Sequence, residues 1–219
     1  MVRILWSGIT GRVGKLAIEA LKDNDDVLIV AGVCRNDCNY YNYDQLDDIK
    51  EEYDVIVDFS HSDSFDRVLN YALKVRKPLI IGTGRLSDKQ VAAYEEAAKI
   101  IPIFKGGNFQ FEVKKFIDDV LEYAKVNDDI LLVETHYKTK NIPSETAKRI
   151  FERVFNETGK TVNIESYLEY DELINDYKVA DLHCRVVGFE QLAKDVLKIA
   201  EIMKEKKPNG VYTLDNLIE

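Results

Sequence analysis

The sequence lacks several features that would assign the protein to a structural class. No apolar run reaches the roughly 18 residues of a membrane-spanning helix. The first residues, from Met1 to Ile4, lead directly into an apolar strand-like segment, so we expect no signal peptide and a cytoplasmic protein. Three cysteines without a CxxC pair predict free thiols, and three histidines without clustered acids predict no metal site.

Positive charge is also scarce. Lysine and arginine number 30 against 39 acidic residues, which gives a net charge of −9 and disfavours nucleic acids and membrane surfaces as partners. The 219 residues contain no internal repeat and no low-complexity linker, and they can form one large domain or two small ones. The composition therefore favours a soluble enzyme that acts on a small molecule.

Glycine is concentrated where it carries information. The strand-like run Val2 to Ser7 leads into a loop with glycines at positions 8, 11 and 14, and an amphipathic helix and a second strand, Val27 to Val33, follow. In such a βαβ unit one glycine allows the sharp turn, one the approach of a pyrophosphate and one the packing of the helix. The loop is one residue longer than the commonest form. We interpret it as dinucleotide-binding, with a purely structural glycine turn as the alternative.

The residue at the end of the second strand indicates the preferred cofactor, because an acid there would accept hydrogen bonds from the ribose of NAD. Twenty residues beyond Gly14 stand Cys34 and Arg35 instead. An arginine there favours the 2′-phosphate of NADPH, while the nearby Asp37 keeps NADH possible.

Strands and helices alternate through the first half of the chain. The predicted elements are the strands 53–60, 78–83 and 101–104 and the helices 62–75 and 87–100, the second capped by Ser87. Short apolar strands separated by helices predict an α/β fold with a Rossmann-type doubly wound parallel sheet. Ligands gather at the carboxyl ends of such strands, so Ser60, Thr83 and the segment 106–108 should face the cofactor.

The pattern changes from Phe109 onward. We predict helices at about 112–126 and 144–158, and strands at 130–134, 162–170 and 177–187. They indicate a smaller α+β domain with a mixed or antiparallel sheet. The predicted division is 1–107 for dinucleotide binding and 108–189 for substrate binding and oligomerisation. The last helix, 190–206, and the tail to 219 should pack back onto the first domain, with a hinge at Gly106-Gly107.

The segment from Glu134 to Ala147 has the composition of an anion site. His136 can exchange a proton near neutral pH, Lys138 and Lys140 can hold an anion, and residues 143–146 can begin a helix whose free N–H groups also favour anions. These groups together suit a small carboxylate. The alternative is a solvated loop between a strand and a helix.

Seven motifs, taken in order, resemble those of the dihydrodipicolinate reductases, also called 4-hydroxy-tetrahydrodipicolinate reductases. They are Gly8 to Gly14, Asp58-Phe59-Ser60, Ile81-Gly82-Thr83, Gly107-Asn108-Phe109, Glu134-Thr135-His136 with Lys140, Pro143-Ser144-Glu145-Thr146-Ala147 and Gly210-Val211-Tyr212. The likeness spans essentially the whole chain and identifies it as a divergent, short member of that family.

The resemblance implies hydride transfer from NADPH or NADH to a cyclic dicarboxylate with an imine-type bond, in lysine and diaminopimelate biosynthesis. It makes His136 the general acid and Lys140 its partner, and it implies a homotetramer, with a dimer possible. The expected substrate-binding residues are Tyr137, Lys140, Ser144, Glu145 and Thr146. The expected cofactor-binding residues are Gly8, Thr10, Gly11, Arg12, Val13, Gly14, Cys34, Arg35, Phe59, Ser60, Gly82, Thr83, Gly84, Gly107, Asn108 and Phe109.

The sequence departs from the family at the substrate site. Tyr137 replaces the second of two histidines, and Glu145 replaces the glycine of a Ser-Gly-Thr carboxylate loop. An acid there adds a like charge where a substrate carboxylate should bind. Two alternatives remain beside the family reaction. One is a related NAD(P)-dependent reductase with a different amino or carboxy substrate, and the other is a non-catalytic NAD(P)-binding module.

Overall fold

A computed structural model describes residues 1–22, 25–35, 39–106 and 109–217. The chain divides into two compact units. The first unit comprises Met1–Gly106 together with Phe189–Glu219, and the second unit comprises Gly107–Gly188. Within the described ranges, no helix has both the length and the apolar content needed to cross a membrane.

The first unit contains a seven-stranded sheet. Its strands are β1 (Val2–Ser7), β2 (Val27–Cys34), β3 (Tyr41–Asn42), β4 (Val55–Asp58), β5 (Leu79–Ile81), β6 (Ile103–Lys105) and β11 (Val211–Tyr212). Their order is β11-β6-β5-β4-β1-β2-β3, and every pairing is parallel. All four residues of β4 are buried, as a parallel strand covered on both faces requires. The predicted Rossmann-type sheet is confirmed.

Four α-helices accompany this sheet in the described part of the chain. They are α1 (Arg12–Ala20), α2 (Ser62–Val75), α3 (Asp88–Ala97) and α6 (Glu190–Met203), and α6 packs against α1. The bounds of α2 agree with the prediction. Ser87 caps α3 as predicted, because its hydroxyl accepts the N–H of Gln90 while the Gln90 side chain accepts the N–H of Ser87.

The second unit is a mixed sheet packed against two helices. Its strands are β7 (Leu131–Tyr137), β8 (Asn163–Tyr170), β9 (Ile174–Val179) and β10 (Leu182–Val187), in the order β10-β9-β7-β8. Among the described strands of this sheet, only β7 and β8 run parallel. The helices are α4 (Phe111–Val126) and α5 (Glu145–Thr158), whose apolar faces share one core with the sheet. Alternate residues of β7 are buried, so this sheet has one covered face.

Two local predictions were wrong, and two short elements were not predicted. The strand predicted at 130–134 continues to Tyr137, so His136 lies in a strand and not in a loop. The single strand predicted at 177–187 is the hairpin of β9 and β10, which turns at Ala180 with φ of 49°. Alanine is not a typical turn residue, so the sequence did not predict this turn. The short strand β3 and a 3₁₀ helix (Tyr43–Asp48) were missed.

The cysteines follow the prediction of free thiols only in part. Cys184 is free and buried, and its burial raises the pKa of the thiol to about 12. Cys34 is disulfide-bonded, which corrects the prediction there. Cys38 lies outside the described residues. Disulfides form where backbone geometry brings two cysteines together, and the spacing of cysteines alone does not reveal that.

Candidate functional site

The glycine loop is shaped by close contacts between main-chain atoms. Gly8 has φ of +79°, and a Cβ added there would lie 2.3 Å from the carbonyl oxygen of Phe59. A Cβ on Gly14 would lie 2.4 Å from the carbonyl oxygen of Ile9. Neither position has room for a side chain. Gly11 is the N-cap residue before α1, and within the described residues no side chain caps that helix and no acid lies in its first turn. These features suit the phosphates of a dinucleotide.

The loops after β1, β4 and β5 meet around Phe59. The Phe59 ring stacks on Trp6 with a centroid distance of 5.8 Å, and a Cβ on Gly82 would lie 2.3 Å from the same ring. Gly82 therefore leaves the space that the Phe59 ring occupies. Nothing lies within 4 Å of a Cβ added to Gly84. Of these two predicted cofactor residues, only Gly82 is required by its surroundings.

A buried carboxylate joins the strand ends of the first unit. Asp58 is fully buried at the end of β4 and accepts hydrogen bonds from Ser7 Oγ at 2.6 Å and Thr83 Oγ1 at 2.7 Å. Burial raises the pKa of Asp58, and the hydroxyl donors only partly oppose this rise. Thr83 Oγ1 also accepts the N–H of Ser60 at 3.0 Å, while Lys105 Nζ donates to the carbonyl oxygen of Thr83 at 3.0 Å. Ser60 and Thr83 are thus brought together, as expected for neighbouring strand ends.

The remaining predicted cofactor residues are placed as follows. Thr10, Arg12, Gly84 and Arg35 are exposed, and Val13 is half-buried. The Arg12 guanidinium lies 5.0 Å from the centroid of the Phe189 ring. Cys34 and Phe109 are buried. Gly107 and Asn108 lie outside the described residues.

In the second unit, a carboxylate is again the centre of a polar cluster. Glu134 on β7 is 0% exposed, and its two oxygens accept four hydrogen bonds. Oε1 accepts the N–H of Ser144 at 2.9 Å and the hydroxyl of Ser166 at 2.6 Å. Oε2 accepts the hydroxyl of Ser144 at 2.5 Å and contacts His136 Nε2 at 2.8 Å. Burial raises the pKa of Glu134, but these hydrogen bonds outweigh it and bring the value down to about 2.

His136 is held inside this cluster. Its side chain is 0% exposed, and its ring meets the ring of Tyr177 edge-on at a centroid distance of 5.3 Å. The second nitrogen, Nδ1, is buried and has no hydrogen-bond partner among the described residues. Asn175 is the Cα partner of His136 on β9, and its Oδ1 is likewise buried without a partner in the described part of the chain.

Ser144 and Thr146, the predicted carboxylate-binding residues, already have protein partners. Ser144 lies at the predicted helix start and caps α5, since its hydroxyl accepts the N–H of Ala147 at 3.1 Å while donating to Glu134. Burial raises the pKa of the Tyr177 hydroxyl, and hydrogen bonding with Thr146 and Ser144 acts in the opposite direction. The start of α5 is thus held by the two hydrogen bonds from Ser144 to Glu134.

Lys140, Tyr137 and Glu145 are more open. Lys140 is half-buried, and Nζ lies 5.7 Å from the centroid of the Tyr137 ring. Burial lowers the pKa of Lys140, and the charges of Glu134 and Glu145 oppose this effect. Within the described residues Lys140 forms no ion pair, so its ammonium group is available to an anion. The Glu145 side chain is 83% exposed and pairs with Lys148 at 2.7 Å.

Sequence reasoning missed five residues that build these sites. Asp58 and Glu134 belonged to recognised motifs but had no predicted role. Ser166 and Tyr177 were predicted only as strand residues, and Asn175 lay between the predicted strands 162–170 and 177–187. One signal could have found Glu134. It precedes His136 by two positions on a strand, and residues at that spacing share a face. The other partners lie on β8 and β9, and no local pattern indicates their registers.

Comparison with known proteins agrees with the fold and the motifs. The family model described as dihydrodipicolinate reductase, N-terminus, matches residues 2–109. The 4-hydroxy-tetrahydrodipicolinate reductase of Caldanaerobacter subterraneus subsp. tengcongensis is 35% identical over 159 residues, which are 70% of this chain and 63% of the relative. The Clostridium botulinum enzyme of the same name is 26% identical over 248 residues, covering 100% of this chain and 98% of that one.

Among solved structures, a dipicolinate-bound dihydrodipicolinate reductase from Paenisporosarcina sp. TG-14 aligns with a TM-score of 0.77 at 15% sequence identity. The alignment covers 97% of each chain. At that identity the likeness shows the fold. A reductase family with a Rossmann-type fold implies binding of a nicotinamide dinucleotide, and the glycine loop described above has the close backbone contacts that such a ligand needs. The chain belongs to the dihydrodipicolinate reductase family.

Proposed function

We propose that this protein is a 4-hydroxy-tetrahydrodipicolinate reductase that uses NADPH. In this proposal the first unit binds the nucleotide and the second unit binds the cyclic dicarboxylate. The observation that carries the proposal is the second-unit cluster, in which a buried histidine beside an ionised Glu134 accompanies a lysine with no ion-pair partner among the described residues. A proton donor and an anion-holding cation are the two groups that reduction of an anionic imine requires.

Each group has a defined task in this mechanism. NADPH, when bound, supplies the hydride that reaches a substrate carbon. His136 donates a proton to the neighbouring atom, and Lys140 holds a substrate carboxylate. His136 is closed to solvent in the described structure, so the substrate gains access to it through local opening. Contacts of catalytic groups commonly form fully only in the substrate complex.

Activity measurements on matched variants test this function. The substrate is prepared freshly from aspartate semialdehyde and pyruvate with the preceding enzyme, and NADPH oxidation is followed by absorbance. We expect His136→Gln and Lys140→Met to lose activity by roughly 10²–10⁴-fold while NADPH affinity is unchanged. Lys138→Met is the control, because Lys138 is exposed and paired with Asp171 at 2.7 Å. An inactive wild type with intact NADPH binding would refute the proposal.

The alternative of a related reductase rests on Glu145. If Glu145 recognises an amine on another substrate, Glu145→Gly should impair activity on that compound only. If Glu145 repels a carboxylate of the family substrate, the same change should lower KM for the dicarboxylate. A non-catalytic module would bind NADPH and reduce neither compound.

We also propose a cytoplasmic homo-oligomer, a tetramer by resemblance or a dimer. The mixed sheet of the second unit supports this assembly, since β8 and β10 are its edge strands and unpaired edges invite further pairing. Exposed apolar side chains lie on these strands, namely Tyr167, Leu168 and Val187. Light scattering at micromolar concentration tests the proposal, and a stable monomer would contradict it.

A further inference from the structure

Glu134 and His136 form a buried pair whose hydrogen-bond donors can be assigned. Both residues lie on β7, two positions apart, and both side chains are 0% exposed. Three of the four groups that contact Glu134 carry a proton that they can donate. They are the backbone N–H of Ser144 and the hydroxyls of Ser144 and Ser166. The Ser144 hydroxyl donates to Glu134 Oε2, because an ionised carboxylate oxygen has no proton to give, and the Ser144 oxygen also accepts the N–H of Ala147.

An ionised carboxylate can only accept hydrogen bonds, so the fourth group must also be a donor. That group is His136 Nε2, 2.8 Å from Glu134 Oε2. The proton on Nε2 is therefore fixed, in the neutral ring as well as in the imidazolium. The nitrogen that gains and loses a proton is Nδ1, which is buried and has no partner among the described residues.

We infer that Glu134 is a positioning residue for His136, holding the imidazole in its Nε2–H tautomer and thereby making Nδ1 the proton-donating atom. The inference rests on the proposed function for the use of that proton. On donation the N–H bond at Nδ1 breaks, its electron pair stays on the ring, and the Nε2 proton remains on its hydrogen bond to Glu134.

The variant Glu134→Gln has a predictable effect on the tautomer. The amide of glutamine has one oxygen and one NH₂ group, and the backbone N–H of Ser144 cannot accept a hydrogen bond. The amide oxygen must therefore take the Oε1 position, which faces that N–H. The NH₂ group then takes the Oε2 position and donates to His136 Nε2. The neutral imidazole must consequently carry its proton on Nδ1, so the variant reverses the tautomer.

Nitrogen-15 NMR of histidine-labelled protein measures this directly. The chain has three histidines, so His136→Gln identifies the His136 signals by their loss. For the neutral ring we expect the Nε2–H tautomer in the wild type and the Nδ1–H tautomer in Glu134→Gln. In kinetics the same variant should reduce kcat by roughly 10²-fold or more, with KM and NADPH affinity within about twofold of the wild type.

A second histidine pair provides the matched control. His183 Nε2 lies 2.8 Å from Asp176 Oδ1 on the neighbouring strand, and the His183 side chain is 48% exposed. Asp176→Asn removes a similar carboxylate, and we expect kcat within about twofold of the wild type and an unchanged His136 tautomer.

The outcomes separate this inference from the proposed function. A wild-type Nδ1–H tautomer would overturn the inference whatever the activity, because the tautomer is measured on the wild type and His136→Gln serves only to assign the signals. Unchanged kcat in a folded Glu134→Gln protein would overturn it as well. A wild type that is inactive on the dicarboxylate but shows the Nε2–H tautomer would reject the proposed function and leave the role of Glu134 in place.

Discussion

The candidate sites of the two units are formed by different kinds of contact. In the first unit the contacts are mainly between backbone atoms, and they require glycine at positions such as Gly8 and Gly14. In the second unit they are between buried side chains, with Glu134 at the centre and hydrogen bonds from three other residues. A backbone site depends on residues close in sequence, whereas a side-chain site depends on the registers of distant strands.

This difference affects how each unit tolerates change. A glycine that lies against a carbonyl group has no substitute, because every other residue adds a Cβ. A buried hydrogen-bonded carboxylate can be replaced by its amide with little change in volume, but its donors then lose an acceptor. Substitutions that add side-chain volume should therefore destabilise the first unit most, and substitutions that remove a buried charge should destabilise the second unit most. The following experiments test that contrast, from the largest expected effect to the smallest.

Gly14→Ala should produce the largest loss of stability. Its Cβ would lie 2.4 Å from the Ile9 carbonyl oxygen and 2.8 Å from Ile9 Cα, both backbone atoms that cannot move independently. We expect a loss of more than about 3 kcal/mol in the free energy of unfolding, measured by urea denaturation. Gly84→Ala is the control, since a Cβ there meets nothing within 4 Å, and it should change stability little. Equal stability of the two variants would contradict the volume argument.

Acid unfolding should reveal the charge dependence of the second unit. The folded pKa of Glu134 is about 2, below its ordinary value of 4.5, so its ionised form stabilises the fold. That stabilisation is fully present above pH 4.5 and is lost as the pH falls towards 2, and it amounts to about 3 kcal/mol. Glu134→Gln should remove this part of the pH dependence, measured by denaturant titration at several pH values. The exposed Glu145→Gln should retain it, and a wild-type stability that does not change over this range would count against the assignment.

Nucleotide preference gives an intermediate effect confined to the first unit. Arg35 is exposed just beyond β2, where a 2′-phosphate would lie in a Rossmann-type site. Arg35→Ala should weaken NADPH binding about tenfold and leave NADH binding nearly unchanged, because only NADPH carries the extra phosphate. Calorimetric titration with both nucleotides measures this. A wild-type preference for NADH, or an equal loss for both nucleotides, would argue against a role for Arg35.

Glu145→Ala should have the smallest effect on stability. Glu145 lies in the first turn of α5, where its negative charge interacts favourably with the helix dipole, and it pairs with the exposed Lys148. Losing both interactions should cost roughly 0.5–1 kcal/mol. A loss as large as that of Glu134→Gln at neutral pH would show that Glu145 is part of the buried cluster. Thermal denaturation of the two variants side by side makes the comparison.

Much of the fold was predictable because local signals coincided with it. The alternation of apolar strands and helices predicted the parallel sheet, and Ser87 and Ser144 marked helix starts that the structure contains. The turn at Ala180 was not predictable, because alanine rarely adopts a positive φ and the surrounding hairpin imposes it. Strand β11 was also not predicted, because two residues are too few to show a strand pattern and the strand is defined by its pairing with β6.

The sequence by itself determined the glycine loop, the class of fold and the family, because each depends on residues near one another in the chain or on the order of motifs. Only the tertiary structure decided that His136 is buried in a strand and that Ser144 donates to Glu134. Ser166 and Asn175 meet the cluster only through the registers of β8 and β9. Register follows from the packing of a whole sheet against its helices, so it cannot be read from any one segment.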